Sequence, residues 1–130
     1  MVVTDKIADL IIRLKNANVA HKESVTLYTS KLKKATAEAL VRAGYVKSVS
    51  ESKNGKMLEI VLAYKADKTP KIVNVQRISK PSRRIYQKSD ELKSFKAGYG
   101  AIILSTPAGI LSNKEAHKQK VGGEIMFKVW

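Results

Sequence analysis

The chain has 130 residues, no cysteine and a formal net charge of +14, with 44% hydrophobic residues. That apolar fraction suits a folded protein and is too high for disorder, and no run approaches the roughly 20 apolar residues that span a bilayer. The missing cysteines exclude disulfides and thiolate chemistry and fit a cytosolic setting, and Met1-Val2-Val3-Thr4-Asp5 lacks the basic and then apolar order of a secretory signal.

Thr4 or Asp5 can cap a first helix reaching about Asn18, with Ile7, Leu10, Ile11 and Leu14 as its apolar stripe and Asp9, Arg13 and Asn16 opposite. Ser24 to Tyr28 alternates and reads as a short strand. Ser30 caps a second helix whose period runs through Leu32, Ala35, Thr36, Ala39, Leu40 and Ala43, and Gly44 stops it. Strands at Tyr45–Glu51 and Met57–Tyr64 join around Asn54-Gly55, a hairpin signal. The polar connector Ala66–Pro70 marks a boundary between lobes 1–68 and 69–130. Strand resumes over Lys71–Ile78. Ser79–Gln87 is basic and proline-broken, with brief pairing expected at Ile85 and Tyr86, and Ser89–Ala97 suggests one or two helical turns. Ala101–Leu104 is a short apolar strand, Ser112 opens a helix with a capping box completed by Glu115, and a last strand places Ile125, Phe127 and Val129 on one face. The order describes an α+β protein of two small lobes, an α-β-α-β-β lobe followed by a mostly β one with short helices.

Both halves hold more Lys and Arg than Asp and Glu, most densely between Arg77 and Lys96, and such a spread excess points to nucleic acid. A membrane surface would want a basic amphipathic helix backed by bulky aromatics, and none is visible. Lys31, Lys33 and Lys34 crowd the first turn of the second helix, where cations oppose the dipole. That suits a phosphate site, or simply three solvated lysines. Arg13 and Asn16 stand one turn apart, placed for phosphate and ribose or merely exposed. Arg77, Lys80, Arg83, Arg84 and Lys88 surround Pro81 and Tyr86, an arrangement for stacking an unpaired base between cations; the alternative is an aromatic at the edge of a core. The Ser105-Thr106-Pro107-Ala108-Gly109 loop can offer hydroxyls to a base edge or a 2′-OH, or serve as an ordinary strand-to-helix turn. Gly122 and Gly123 allow a turn before the last strand, and Glu124 is placed to accept from base amino groups or from a local cation.

Nothing marks an enzyme. His21 and His117 have no cysteine beside them, Ser105 lies outside a G-x-S-x-G elbow, and Gly98-Tyr99-Gly100 lacks the third glycine of a dinucleotide fingerprint. No metal or cofactor is expected.

Four collinear motifs carry a family resemblance over essentially the whole chain. They are Thr4-Asp5-x-Ile7-Ala8-Asp9-Leu10 with Arg13 and Asn16-Ala17; Ser30-Lys31-Leu32-Lys33; Ile78-Ser79-Lys80-Pro81 with Arg84-Ile85-Tyr86; and Gly98-x-Gly100 through Ser105-Thr106-x-x-Gly109-Ile110-Leu111, Ala116 and Gly122-Gly123-Glu124. In these the sequence resembles the family of the eighth protein of the bacterial small ribosomal subunit. The resemblance implies a cytoplasmic ribosomal constituent that binds the central domain of 16S rRNA early, helps nucleate platform assembly and meets neighbouring small-subunit proteins; a monomer is expected when the protein is free. It implies that the second lobe grips an irregular RNA internal loop through Tyr86, Ser105, Thr106, Gly109, Gly123 and Glu124, to which the basic stretch itself adds Lys80 and Arg84. It also implies that the first lobe uses Thr4, Arg13, Lys31 and Lys33, to which the spacing from Arg13 adds Asn16. Pro107 replaces the family's usual third serine and removes a hydroxyl and an N–H, and Ser82 replaces a common glycine. Some family members repress their own operon by binding its messenger RNA with the same surface, which gives an alternative function. General DNA compaction, supported by charge alone, is a second.

Overall fold

The protein is described here by a computed structural model covering residues 6–79, 82–88 and 100–130. Helix α1 (Lys6–Val19) buries Ile7, Leu10, Ile11 and Leu14, whose spacing of three and four puts them on one side of a 3.6-residue period. The stripe ends in a polar residue, Asn18, which is fully buried. Its amide donates to the Ala63 carbonyl (3.3 Å) while its oxygen accepts the Ile72 N–H (2.8 Å), fastening both ends of the connector between the lobes. The expected caps Thr4 and Asp5 lie outside the described residues, as do the helical turns expected over 89–97.

Strands β1 (Ser24–Tyr28), β2 (Val46–Glu51) and β3 (Met57–Leu62) form an antiparallel sheet in the order β1-β3-β2. Helix α2 (Lys31–Arg42) starts where the Ser30 hydroxyl accepts the Lys33 N–H (3.1 Å). It ends on Gly44 at φ +87°, with Gly44 and Tyr45 donating back to Val41 and Leu40. This is a Schellman closure, which a side chain at Gly44 would strain. Burial along α2 begins at Thr36. Leu32, expected in the apolar stripe, is 43% exposed because the first turn stands beyond the packed face.

The second sheet contains β4 (Val75–Arg77), β5 (Tyr86–Gln87), β6 (Ala101–Thr106), β7 (Gly109–Ser112) and β8 (Gly123–Val129), in the order β4-β8-β6-β7 with β5 also on β8. The strand expected over Lys71–Ile78 is confined to Val75–Arg77. Upstream, the Ile72 N–H goes to Asn18, and those of Val73 and Asn74 go to the Trp130 carbonyl. Helix α3 (Asn113–Gln119) has the predicted capping box between Ser112 and Glu115.

Sheet two is covered on both faces, which is why Ala101 to Leu104 is continuously apolar. Ile102 and Leu104 pack with Ala116 of α3. Ala101 and Ile103 join a larger core shared with α1, α2 and the first sheet. The last strand does not keep Ile125, Phe127 and Val129 on one face. Ile103 pairs with Phe127 but Leu104 pairs with Ile125, so Met126 is an extra residue and the alternation reverses there. Ile125 therefore packs on the α3 side while Phe127 and Val129 enter the larger core. Full burial of such side chains stabilises by about 1.5–3 kcal/mol each.

Candidate nucleic-acid interface

Beyond the bulge, the face of sheet two that carries Ile103 and Phe127 turns polar. Tyr86 pairs with Glu124 across β5 and β8, and Glu124 pairs with Ser105 across β8 and β6. Directly opposed residues share a face, so tyrosine ring, carboxylate and hydroxyl form one row across three strands. Tyr86 is 65% exposed, and among the described residues the Ser105 hydroxyl has no hydrogen bond. The Arg84 guanidinium lies 3.3 Å from both Glu124 oxygens, so the row presents a tyrosine and a hydroxyl beside a neutralised acid.

The segment from Ser105 to Gly109 is a strand, a tight turn and the start of another strand, not the strand-to-helix loop expected. Thr106 pairs with Gly109, and Pro107 and Ala108 are the turn. Primed hairpin turns need a positive φ at their first central residue, which proline cannot adopt; here the positive φ, +114°, falls on Gly109. The position therefore tolerates Pro107. The Thr106 hydroxyl works inside the turn, donating to the Gly109 carbonyl (2.7 Å) and accepting the Ala108 N–H (3.2 Å). Ile110 and Leu111 were missed as a strand because a four-residue run without alternation leaves no periodic signal.

Gly122 and Gly123 serve close approach and not a turn, since neither has a positive φ. A Cβ on Gly123 would lie 2.1 Å from the Ser105 carbonyl oxygen, and one on Gly122 would lie 2.4 Å from that of Gln87. The glycines let β8 sit tightly between β5 and β6 where the row is built.

A buried serine that sequence reasoning gave no role fastens the other side. Ser79 is 2% exposed; its hydroxyl accepts the Ile85 N–H (2.9 Å) and donates to the Ile85 carbonyl (3.3 Å). That clasp fixes the residue between Arg84 and Tyr86. The sequence signal for Ser79 was its place in the Ile78-Ser79-Lys80-Pro81 motif, which gave it no role of its own. Lys80, Pro81 and Tyr99 lie outside the described residues.

The first-lobe candidates sit elsewhere. Exposed Arg13 pairs with Asp9 at 3.4 Å and lines a groove with Asn16, Lys22 and Thr26. The three lysines of α2 separate in role. Lys34 is tied to Glu51 at 2.6 Å, whose hydrogen bond and charge raise its pKa; Lys33 donates to the Tyr28 carbonyl (3.2 Å); Lys31 is exposed. Among the described residues no cluster of His, Asp and Glu is arranged for a metal, and no helix is long and apolar enough to cross a membrane.

The comparisons with known proteins agree along the whole chain. Residues 5–130 match the family described as ribosomal protein S8. The protein named small ribosomal subunit protein uS8 of Caldanaerobacter subterraneus subsp. tengcongensis is 46% identical over 132 aligned residues, covering all of both chains. Its namesake in a Thermoanaerobacter species is 42% identical with the same coverage. That of a Nitratiruptor species is 45% identical over 98% of this chain and 99% of its own. With the family pattern matched from Asp5 to Trp130, the chain belongs to the ribosomal protein S8 family.

Proposed function

We propose that this protein is a non-enzymatic constituent of the cytoplasmic small ribosomal subunit that binds the central domain of 16S rRNA and helps nucleate the platform. Family membership supports the ribosomal role. The row of Tyr86, Glu124 and Ser105 is the observation that carries the RNA-binding surface. In A-form RNA the deep major groove hides the base edges, so recognition falls on irregular loops whose bases can stack and expose their edges. Tyr86 offers the stacking face, Ser105 a donor and acceptor, and Arg84 a cation for phosphate. Gly109 has open space where a side chain would stand, so RNA can approach its backbone.

The lysines and arginines of a +14 chain supply salt-dependent attraction that is blind to sequence. Arg13, Lys31 and Lys33 in lobe 1–68 and Lys80 in lobe 69–130 belong to that component, the uncharged Thr4 and Asn16 add hydrogen bonds to the RNA backbone, and the Tyr86 row discriminates. The repressor function would use the same surface on a messenger RNA that mimics the rRNA loop. Titration of Ser105→Ala against an irregular 16S central-domain stem and a scrambled RNA tests the division of labour. A loss of about 1–3 kcal/mol confined to the cognate stem is expected. Equal losses on both RNAs would overturn it.

A further inference from the structure

We propose that Arg42 is a positioning residue for RNA recognition, a clamp that fixes the Ser105–Gly109 hairpin against α2; this rests on the RNA-binding function proposed above. Arg42 lies in the last turn of α2, in the first lobe, yet its two bonded groups reach the second. Its Nε donates to Glu115 Oε2 (2.9 Å) and its Nη2 to the Ile110 carbonyl (2.8 Å). The other Glu115 oxygen accepts the Ser112 N–H (3.1 Å), as the capping box requires. One planar guanidinium therefore holds β7 near both of its ends.

The topology explains why this matters. Among the described residues β7 is the edge of its sheet, bonded on one side to β6 with no strand on the other. Its side chains Ile110 and Leu111 pack into the two cores, and Arg42 adds a bond to the backbone of this edge strand. Ile110, which Arg42 holds, pairs with Ser105, and the next pair outward is Thr106 with Gly109. The clamp thus sets where the hairpin stands relative to α2. Lys31 stands about 16 Å from Arg42 along the helix by a rise of 1.5 Å per residue, so the clamp also relates the hairpin to that lysine. RNA touching both regions meets them at a set spacing. A lysine cannot replace the clamp, because one ammonium does not reproduce two fixed, coplanar donors.

The test measures binding to the irregular central-domain stem and to a fully paired control across a salt series. It uses the wild type, Arg42→Gln, Arg42→Lys and Glu115→Gln, each with and without Ser105→Ala. Glu115→Gln keeps one oxygen for the Ser112 N–H of the capping box and replaces the charged acceptor that meets Arg42 with an NH2 group that cannot accept. Thermal melts establish that each variant is folded. Arg42→Gln is expected to bind the irregular stem about three- to tenfold more weakly. Its affinity for the paired control and its salt slope stay unchanged. Arg42→Lys behaves like Arg42→Gln despite keeping the charge, Glu115→Gln falls in the same direction, and Ser105→Ala costs less in the Arg42→Gln background. Rescue by lysine, a slope lower by about one unit with equal losses on both RNAs, or an undiminished Ser105→Ala effect would overturn the clamp. If the wild type fails to distinguish the two RNAs, the proposed function falls and the clamp with it. Wild-type discrimination untouched by Arg42 and Glu115 sinks the clamp alone.

Discussion

Gly123→Ala should damage both stability and RNA recognition, and the structure says how much. The added Cβ would stand 2.1 Å from the Ser105 carbonyl oxygen and 3.1 Å from the Thr106 Cα, where ordinary contact begins at 3.4 Å. Both neighbours are backbone, so no side chain can swing aside, and β8 and β6 must part by more than an ångström. Overpacking of this kind costs about 1–3 kcal/mol. For a chain of this size each kcal/mol lowers Tm by about 3–5 °C, which differential scanning calorimetry resolves. The displaced strand carries Ser105, so affinity for the irregular stem should fall by roughly tenfold or more while affinity for paired RNA holds. Gly55→Ala is the matched control. Its φ of +69° imposes strain of about 1–2 kcal/mol, but the nearest atom to the new Cβ is Glu51 Oε2 at 3.8 Å and the site is the β2–β3 turn of the first sheet. It should lower Tm and leave discrimination intact. Equal discrimination by Gly123→Ala and the wild type would refute the argument, because the row would then tolerate a displaced strand.

Ser79→Ala leaves the Ile85 N–H without its partner and should cost about 1–3 kcal/mol in denaturant unfolding. It should also weaken stem binding through the loosened Tyr86, and a folded variant with full affinity would dismiss the clasp. Lys31→Gln should lower affinity for all RNA and reduce the salt slope by about one unit, whereas Lys34→Gln should leave that slope unchanged, as a salt titration of each will decide. The Lys34 pKa is raised above 10.5 by Glu51, so its contribution to stability is present below that value and lost as pH rises through the folded pKa. Tm values of wild type and Lys34→Gln should differ at neutral pH and converge in strong alkali.

The elements legible in the sequence were those whose signals are local. Ile7, Leu10, Ile11 and Leu14 declare α1 by spacing, and Ser30 with Gly44 brackets α2. Ser112 with Glu115 announces α3. What escaped depended on pairing between distant segments. The Met126 bulge exists only relative to β6, so no pattern within β8 could reveal that Ile125 changes faces. The two glycines looked like a turn because the strands they let together are separated from them in sequence. The candidate residues of the second lobe were legible as chemistry, but their order across β5, β8 and β6 was not. Arg42 drew no attention in the sequence because its partners, Ile110 and Glu115, belong to the other lobe.

The most direct measurement is a gel-shift titration of the purified protein at near-physiological salt with excess competitor RNA. It compares the irregular central-domain stem with the same stem made fully paired. Tight binding to the first, lost on the second and lost again in Tyr86→Ala and Ser105→Ala, is the result this structure predicts. Equal, weak and steeply salt-dependent binding to both would contradict it, leaving only the general attraction of a +14 chain for polyanions.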